Sequence, residues 1–142
     1  MYRELVNRIR GGKIIDISRS CDLVCIKIET IDNPVYLHIQ SFFRVLQNGK
    51  IVISVDDIYK SRNLETEEFE WDVPGNSVFD ESLNMHRKEI QNSKILKTRK
   101  KLNGDFAIFF EHGYVLEIFV DTVLQEEKYR FFDDCFEYIK KA

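Results

Sequence analysis

Short runs in which apolar and polar residues alternate, separated by turn-forming dipeptides, constrain this chain most. Across residues 35–40, Val35, Leu37 and Ile39 fall on one side and Tyr36, His38 and Gln40 on the other. That period of two belongs to a half-buried strand and cannot be satisfied on a helix. Residues 43–46 and 50–55 flank Asn48-Gly49, a strong short hairpin signal, because both central residues must take positive φ. Asp32-Asn33-Pro34 marks another turn. Residues 21–29 are apolar except at Asp22, Lys27 and Glu29, and Ile14, Ile15 and Ile17 supply an earlier strand. Tight turns join antiparallel neighbours, so the strands should form mainly antiparallel sheet.

Two helical stretches complete this pattern. At residues 2–10, Leu5, Val6 and Ile9 share one face and Gly11-Gly12 stops the helix. At the other end, residues 133–141 suggest a C-terminal helix capped by Asp133-Asp134. The expected class is therefore α+β, mainly antiparallel β, with a C-terminal helix.

The pattern of the chain also reads as written twice. LNMHRKEIQNSKILK aligns with YRELVNRIRGGKIID, placing Leu83 on Tyr2, Ile90 on Ile9 and Ile95 on Ile14. GDFAIFFEHG follows SCDLVCIKIET, with Asp105 on Asp22. The plan is one domain of 142 residues with a helix-plus-four-strands unit at 1–59 and an acidic connector at 60–81. A second unit follows at 82–134, and the terminal helix closes the chain. Such a duplicated unit would pair its two sheets or merge them into one curved sheet, with Phe106, Ile108 and Phe110 facing the first-half strands.

Composition narrows the function. A net charge of −3 provides no global basic field for nucleic acid or anionic membrane. No apolar run approaches the roughly 18 residues of a spanning helix, and the charged N-terminus lacks a signal-peptide core. A cytoplasmic protein is expected. Cys21 and Cys25 lie on one strand at roughly 13 Å, too far for a disulfide. With Cys135 they are expected as buried free thiols.

Catalytic signatures are missing. The sequence has no G-x-S-x-G, G-x-x-x-x-G-K-[ST] or H-E-x-x-H. His38, His86 and His112 have no His or Cys at metal-ligand spacing, so no metal and no cofactor are expected. The acid pairs Asp56-Asp57, Glu126-Glu127 and Asp133-Asp134 are consecutive, and neighbouring residues in a strand point to opposite faces. Helix capping explains Asp133-Asp134 and, before IYKSR, Asp56-Asp57.

Charge is unevenly distributed. Residues 65–81 hold seven acids and no base, with Phe69 and Trp71 embedded among them. Residues 87–101 hold seven bases and one acid, Glu89. The simple account is two solvated faces. As a functional feature, EEFEWD offers aromatic anchors ringed by charge to a basic protein surface. RKKLNG lacks the interleaved aromatics of a base-stacking platform, so nucleic acid is not an expected partner.

The run YLHIQSFFRVLQNGKIVISVDDIY, echoed by DFAIFFEHGYVLEIFVDTVLQEEKYRFF, resembles small bacterial proteins of the immunity or antitoxin kind. The resemblance implies a duplicated β-rich scaffold that binds a partner toxin without chemistry of its own, and it carries over no functional residue. The expected function is a non-catalytic, cytosolic protein-binding module. Glu67, Glu68, Phe69, Glu70 and Trp71 are the first candidates for contact, and the outward strand residues Tyr36 and His38 the second. The alternative is a small-ligand binder or minor enzyme with a cleft between the repeats, lined by His38 and His112. Phe-rich strands also leave room for a homodimer through a sheet edge.

Overall fold

Leu5 and Ile9, one helical turn apart, are both buried and hold helix α1 (Tyr2–Ile9) against the sheet. In this computed structural model, residues 2–62, 69–124, 126–134 and 136–141 are described. Glu65, Glu67, Glu68 and Cys135, singled out above, lie outside them. After α1 come β1 (Lys13–Ser20), β2 (Leu23–Glu29), β3 (Val35–Ile39), β4 (Phe43–Gln47) and β5 (Lys50–Ser54). A 3-10 turn at Val55–Tyr59 follows. Helix α2 (Val78–Ile90) then leads into β6 (Ser93–Lys100), β7 (Phe106–Phe110), β8 (Tyr114–Ile118), β9 (Glu127–Phe132) and β10 (Glu137–Lys141).

All ten strands join one sheet in the order β10-β9-β3-β2-β1-β6-β7-β8-β4-β5, and every pairing is antiparallel. Read outward from the central β1–β6 pair, the order is symmetric. Each three-stranded run is completed by the other half's hairpin: β4–β5 joins β8, and β9–β10 joins β3. The bulges flanking the centre match as well, one between Ile14 and Asp16 and the other between Ile95 and Lys97. A bulge strengthens local twist, so β1 and β6 pair only through Lys13↔Lys94 and Ile14↔Ser93 before diverging.

The sheet curls onto itself. Phe106 of β7 packs 5.7 Å from Tyr129 and 5.2 Å from Phe131 of β9, although β3, β2, β1 and β6 lie between those strands in the sheet. Alternate residues fill the space between, including Val24, Ile26 and Ile28 from β2 and Tyr114, Leu116 and Ile118 from β8. Helix α1 is tied by Arg8 to Asp32 in the β2–β3 turn and to Asp133 in the β9–β10 turn. Helix α2 brings Phe79 edge-on against Phe43 of β4. No helix among the described residues is long and apolar enough to cross a membrane.

Several expectations are corrected. The fold is sheet-dominated rather than α+β with a C-terminal helix, and each unit carries five strands rather than four. Residues 133–141 contain strand β10, because buried Phe136 and Tyr138 alternate with exposed Glu137 and Ile139. That period of two outweighs the capping potential of Asp133-Asp134, and Asp133 sits in a turn beside Arg8. Phe106 faces β9 of its own half rather than a first-half strand. Within the expected connector, residues 69 and 70 are irregular and 71 and 72 form a turn. Helix α2 starts at Val78, inside the expected connector. Ser77 caps it with a reciprocal box in which Ser77 Oγ accepts from Asp80 N–H and Asp80 accepts from Ser77 N–H. Asp56 and Asp57 lie within the 3-10 turn, whose cap is Ser54. Cys21 is exposed and Cys25 half-buried, so the two are free thiols but not buried ones.

The β1 entrance is tight. A Cβ on Gly12 would stand 2.6 Å from the Glu29 carbonyl oxygen and 3.0 Å from that of Ile9, and neither backbone atom can yield. Gly12→Ala is expected to destabilise the fold by about 1–3 kcal/mol, an overpacking cost. Urea denaturation of the variant checks it, and an unchanged midpoint would refute the close approach. The matching position in the second unit, Ser93, accommodates its side chain, with Oγ donating to the Glu89 carbonyl at 2.6 Å.

Candidate protein-docking site

The β1–β2 turn, the segment after β3 and the 3-10 turn meet around one open cleft of about 390 Å³. Each element delivers its residue for a local reason. Cys21 takes positive φ (53°) at the β1–β2 turn, which brings Asp22 to the rim. Val55–Tyr59 winds up directly after β5, placing Asp56 and Tyr59 on the same opening. Asp121, after β8, supplies a third carboxylate, and no basic residue lines the cleft among the described residues.

The three carboxylates are held differently. Asp22 accepts a 3.0 Å hydrogen bond from Tyr59 Oη. Asp121 pairs with Lys128 Nζ at 3.0 Å. Asp56 is exposed and forms no ion pair among the described residues. Burial, then the hydrogen bond to anionic Asp22, pushes the Tyr59 phenol above its ordinary range, so it stays a neutral donor. Beneath them Ser41 is 7% exposed, and its Oγ finds no hydrogen-bond partner among the described residues. A buried hydroxyl without a partner carries a desolvation cost that an incoming polar group would relieve. Phe42, half-buried against Phe119 at 5.6 Å, gives the cleft an apolar wall.

Trp71 enters through Tyr59. Their rings lie 4.9 Å apart, and Trp71 is half-buried against the core while Tyr59 is 49% exposed. Trp71 therefore supports, and Tyr59 presents. Phe69 is half-buried and Glu70 exposed. The other predicted pair, Tyr36 and His38, lies on the outward side of β3. Phe132 stacks on Tyr36 at 5.8 Å and meets His38 edge-on at 4.8 Å, and the Arg130 guanidinium lies over the Phe132 ring at 5.8 Å. Burial first, then nearby Arg130, lowers the His38 pKa, so the ring is neutral at pH 7. Gln40, next on that alternation, lines the cleft and donates to Glu127. His112 sits instead at the β7–β8 turn with positive φ, its carbonyl accepting from Gln47, so His38 and His112 do not converge.

Sequence reasoning missed Asp22, Asp56, Tyr59 and Asp121 as a set, because they come from turns distant in the chain. The one signal available was the exposed aromatic in VDDIY beside two acids. Among the described residues there is no group of three His, Cys, Asp or Glu that could hold a metal ion. Burial raises the Cys25 pKa, which leaves a poor nucleophile. Comparison with protein-family models, with curated proteins and with solved structures found no match.

Proposed function

We propose that this chain is a non-catalytic protein-binding module of the immunity or antitoxin kind, which takes a basic segment of its partner into the cleft beside Tyr59. The observation that carries the reading is the combination of three carboxylates, an exposed aromatic donor and a partnerless buried hydroxyl in one cleft without a base. Carboxylates steer a cationic partner and fix its register, while the Tyr59–Trp71 pair supplies the apolar anchor that dominates such interfaces. The resemblance of the strand-rich halves to immunity proteins points the same way.

The test is a paired affinity capture from lysate of the source cells, using the unaltered chain and an Asp56→Lys variant as baits. A partner held by the first and lost by the second supports the cleft, and a partner held equally by both refutes it. With the partner in hand, Tyr59→Ala is expected to weaken binding by about 2 kcal/mol, roughly 30-fold, by titration calorimetry. Asp56→Lys should slow association and reverse its salt dependence. A Tyr59→Ala variant of unchanged affinity would remove Tyr59 from the interface.

A further inference from the structure

The two halves differ at one matched place, the groove between each helix and the first strand of the other half. Between α2 and β1 this place is shut. Arg87 of α2 reaches Asp16 of β1 at 2.6 Å and also approaches the Ile17 carbonyl at 3.4 Å, covering the edge of β1 beyond its bulge. In the repeat alignment, Val6 stands where Arg87 stands, Lys97 where Asp16 stands and Thr98 where Ile17 stands. Val6 has no donor to offer and Lys97 no carboxylate, so the same closure cannot form. The groove between α1 and β6 is bridged only by a 3.2 Å hydrogen bond between Tyr2 Oη and Thr98 Oγ1 among the described residues, and keeps about 400 Å³ of space lined by Tyr2, Val6, Ile9 and Arg10 on the helix side and residues 95–98 on the strand side.

This groove exposes a strand edge. Strand β6 pairs with β7 through Lys100, but its pairing with β1 ends near the bulge, where Ile95 N–H donates to the Gly12 carbonyl. From Lys97 onward β6 has no strand neighbour on that side among the described residues. Such an edge is a template for another strand, provided that the flanking surface accepts its side chains. The floor is apolar, with Leu96 62% exposed, and among the described residues the lining holds Arg10 and Lys97 and no acid. Lys94 lies alongside Gly11, and Lys100 reaches over the Tyr2 ring at 5.5 Å.

We infer that the α1–β6 groove is a second docking site, independent of the acidic cleft, and that its occupant is an extended acidic peptide segment of a partner protein added as a strand along β6. Its backbone would pair with β6 from Lys97 to Lys100. Alternate apolar side chains would enter the groove under Val6 and Ile9, and its carboxylates would meet Arg10 and Lys97.

The probe is a fluorescein-labelled seven-residue peptide alternating Val and Glu, followed by fluorescence anisotropy on the full chain. Saturable binding is expected, together with slowed hydrogen exchange at the amides of residues 97–100. Val6→Arg combined with Lys97→Asp, which reinstates the closure of the other half, should weaken binding at least tenfold. The milder Leu96→Glu should weaken it as well, so a folding failure of the double variant does not decide the question. Lost binding in either variant with an unchanged melting temperature supports the site. No binding of the Val/Glu peptide, equal binding of a Val/Lys peptide, or equal binding of a Val/Glu peptide N-methylated at alternate amides would each overturn it.

Discussion

Replacing Arg19 with Met is expected to lower the unfolding free energy by about 3–5 kcal/mol, the cost of leaving a buried carboxylate without its cation. Arg19 grips Asp80 in a two-pronged pair, Nε to Oδ1 at 2.8 Å and Nη2 to Oδ2 at 2.7 Å, and the two side chains are 1% and 9% exposed. Nη1 donates to the Cys21 carbonyl at 2.7 Å and Nη2 reaches that of Val73, so one guanidinium joins β1, the β1–β2 turn and the start of α2. Asp80 collects further hydrogen bonds from Gly75 N–H and from the N–H and Oγ of Ser77. Urea denaturation of Arg19→Met, Asp80→Asn and the double variant would give the coupling between the two. A single variant within 1 kcal/mol of the unaltered chain would show that solvent, and not Arg19, satisfies Asp80.

The same pair sets an acid limit. Burial pushes Asp80 upward, but Arg19 and the Ser77 and Gly75 donors outweigh it and hold the carboxyl at about 2, below its ordinary 3.8. A carboxyl lowered in the folded state contributes stability above its unfolded value and loses it as pH falls through the folded one. On the order of 2 kcal/mol should therefore disappear between about pH 4 and pH 2. In Asp80→Asn that part of the acid limb should be missing. An acid limb of the same steepness in the variant would assign the loss to other carboxylates.

Phe106→Ala is expected to cost about 3–5 kcal/mol, equivalent to a melting point lower by about 12–20 °C for a domain of this size. Phe106 is 2% exposed and lies among Tyr2, Tyr129 and Phe131 at ring distances of 5.2–5.9 Å, where the curled sheet closes upon itself. Truncation would open a cavity that three separately anchored elements, α1, β7 and β9, cannot collapse into. Phe106→Leu, which keeps most of the volume, should cost about half as much. Calorimetry distinguishes the two. Equal, small effects for both would mean that the halves of the sheet do not depend on each other at this point.

The turn chemistry and the period of two were legible from the residues alone. Asn48 and Gly49 take φ of 51° and 83° in the β4–β5 hairpin, as an Asn-Gly pair between alternating runs requires. Val35, Leu37 and Ile39 are buried where alternation puts them, and Leu5 and Ile9 are the buried stripe of α1. These are local properties, settled within a few residues by sterics and solvent. The C-terminal segment was misjudged because Phe136 and Tyr138 compete with a capping signal, and only the free edge of β9 decides that competition in favour of a strand. The candidate cleft was hidden because Asp22, Asp56 and Asp121 are brought together by the exchange of hairpins between the halves, a long-range pairing that no local pattern encodes. Nothing in the local pattern shows that each half's three-stranded run is completed by the other half's last two strands. Period and turns are determined by contacts within a segment, whereas the exchange, the curl and the open α1–β6 groove depend on which distant edges find each other when the apolar faces are buried together.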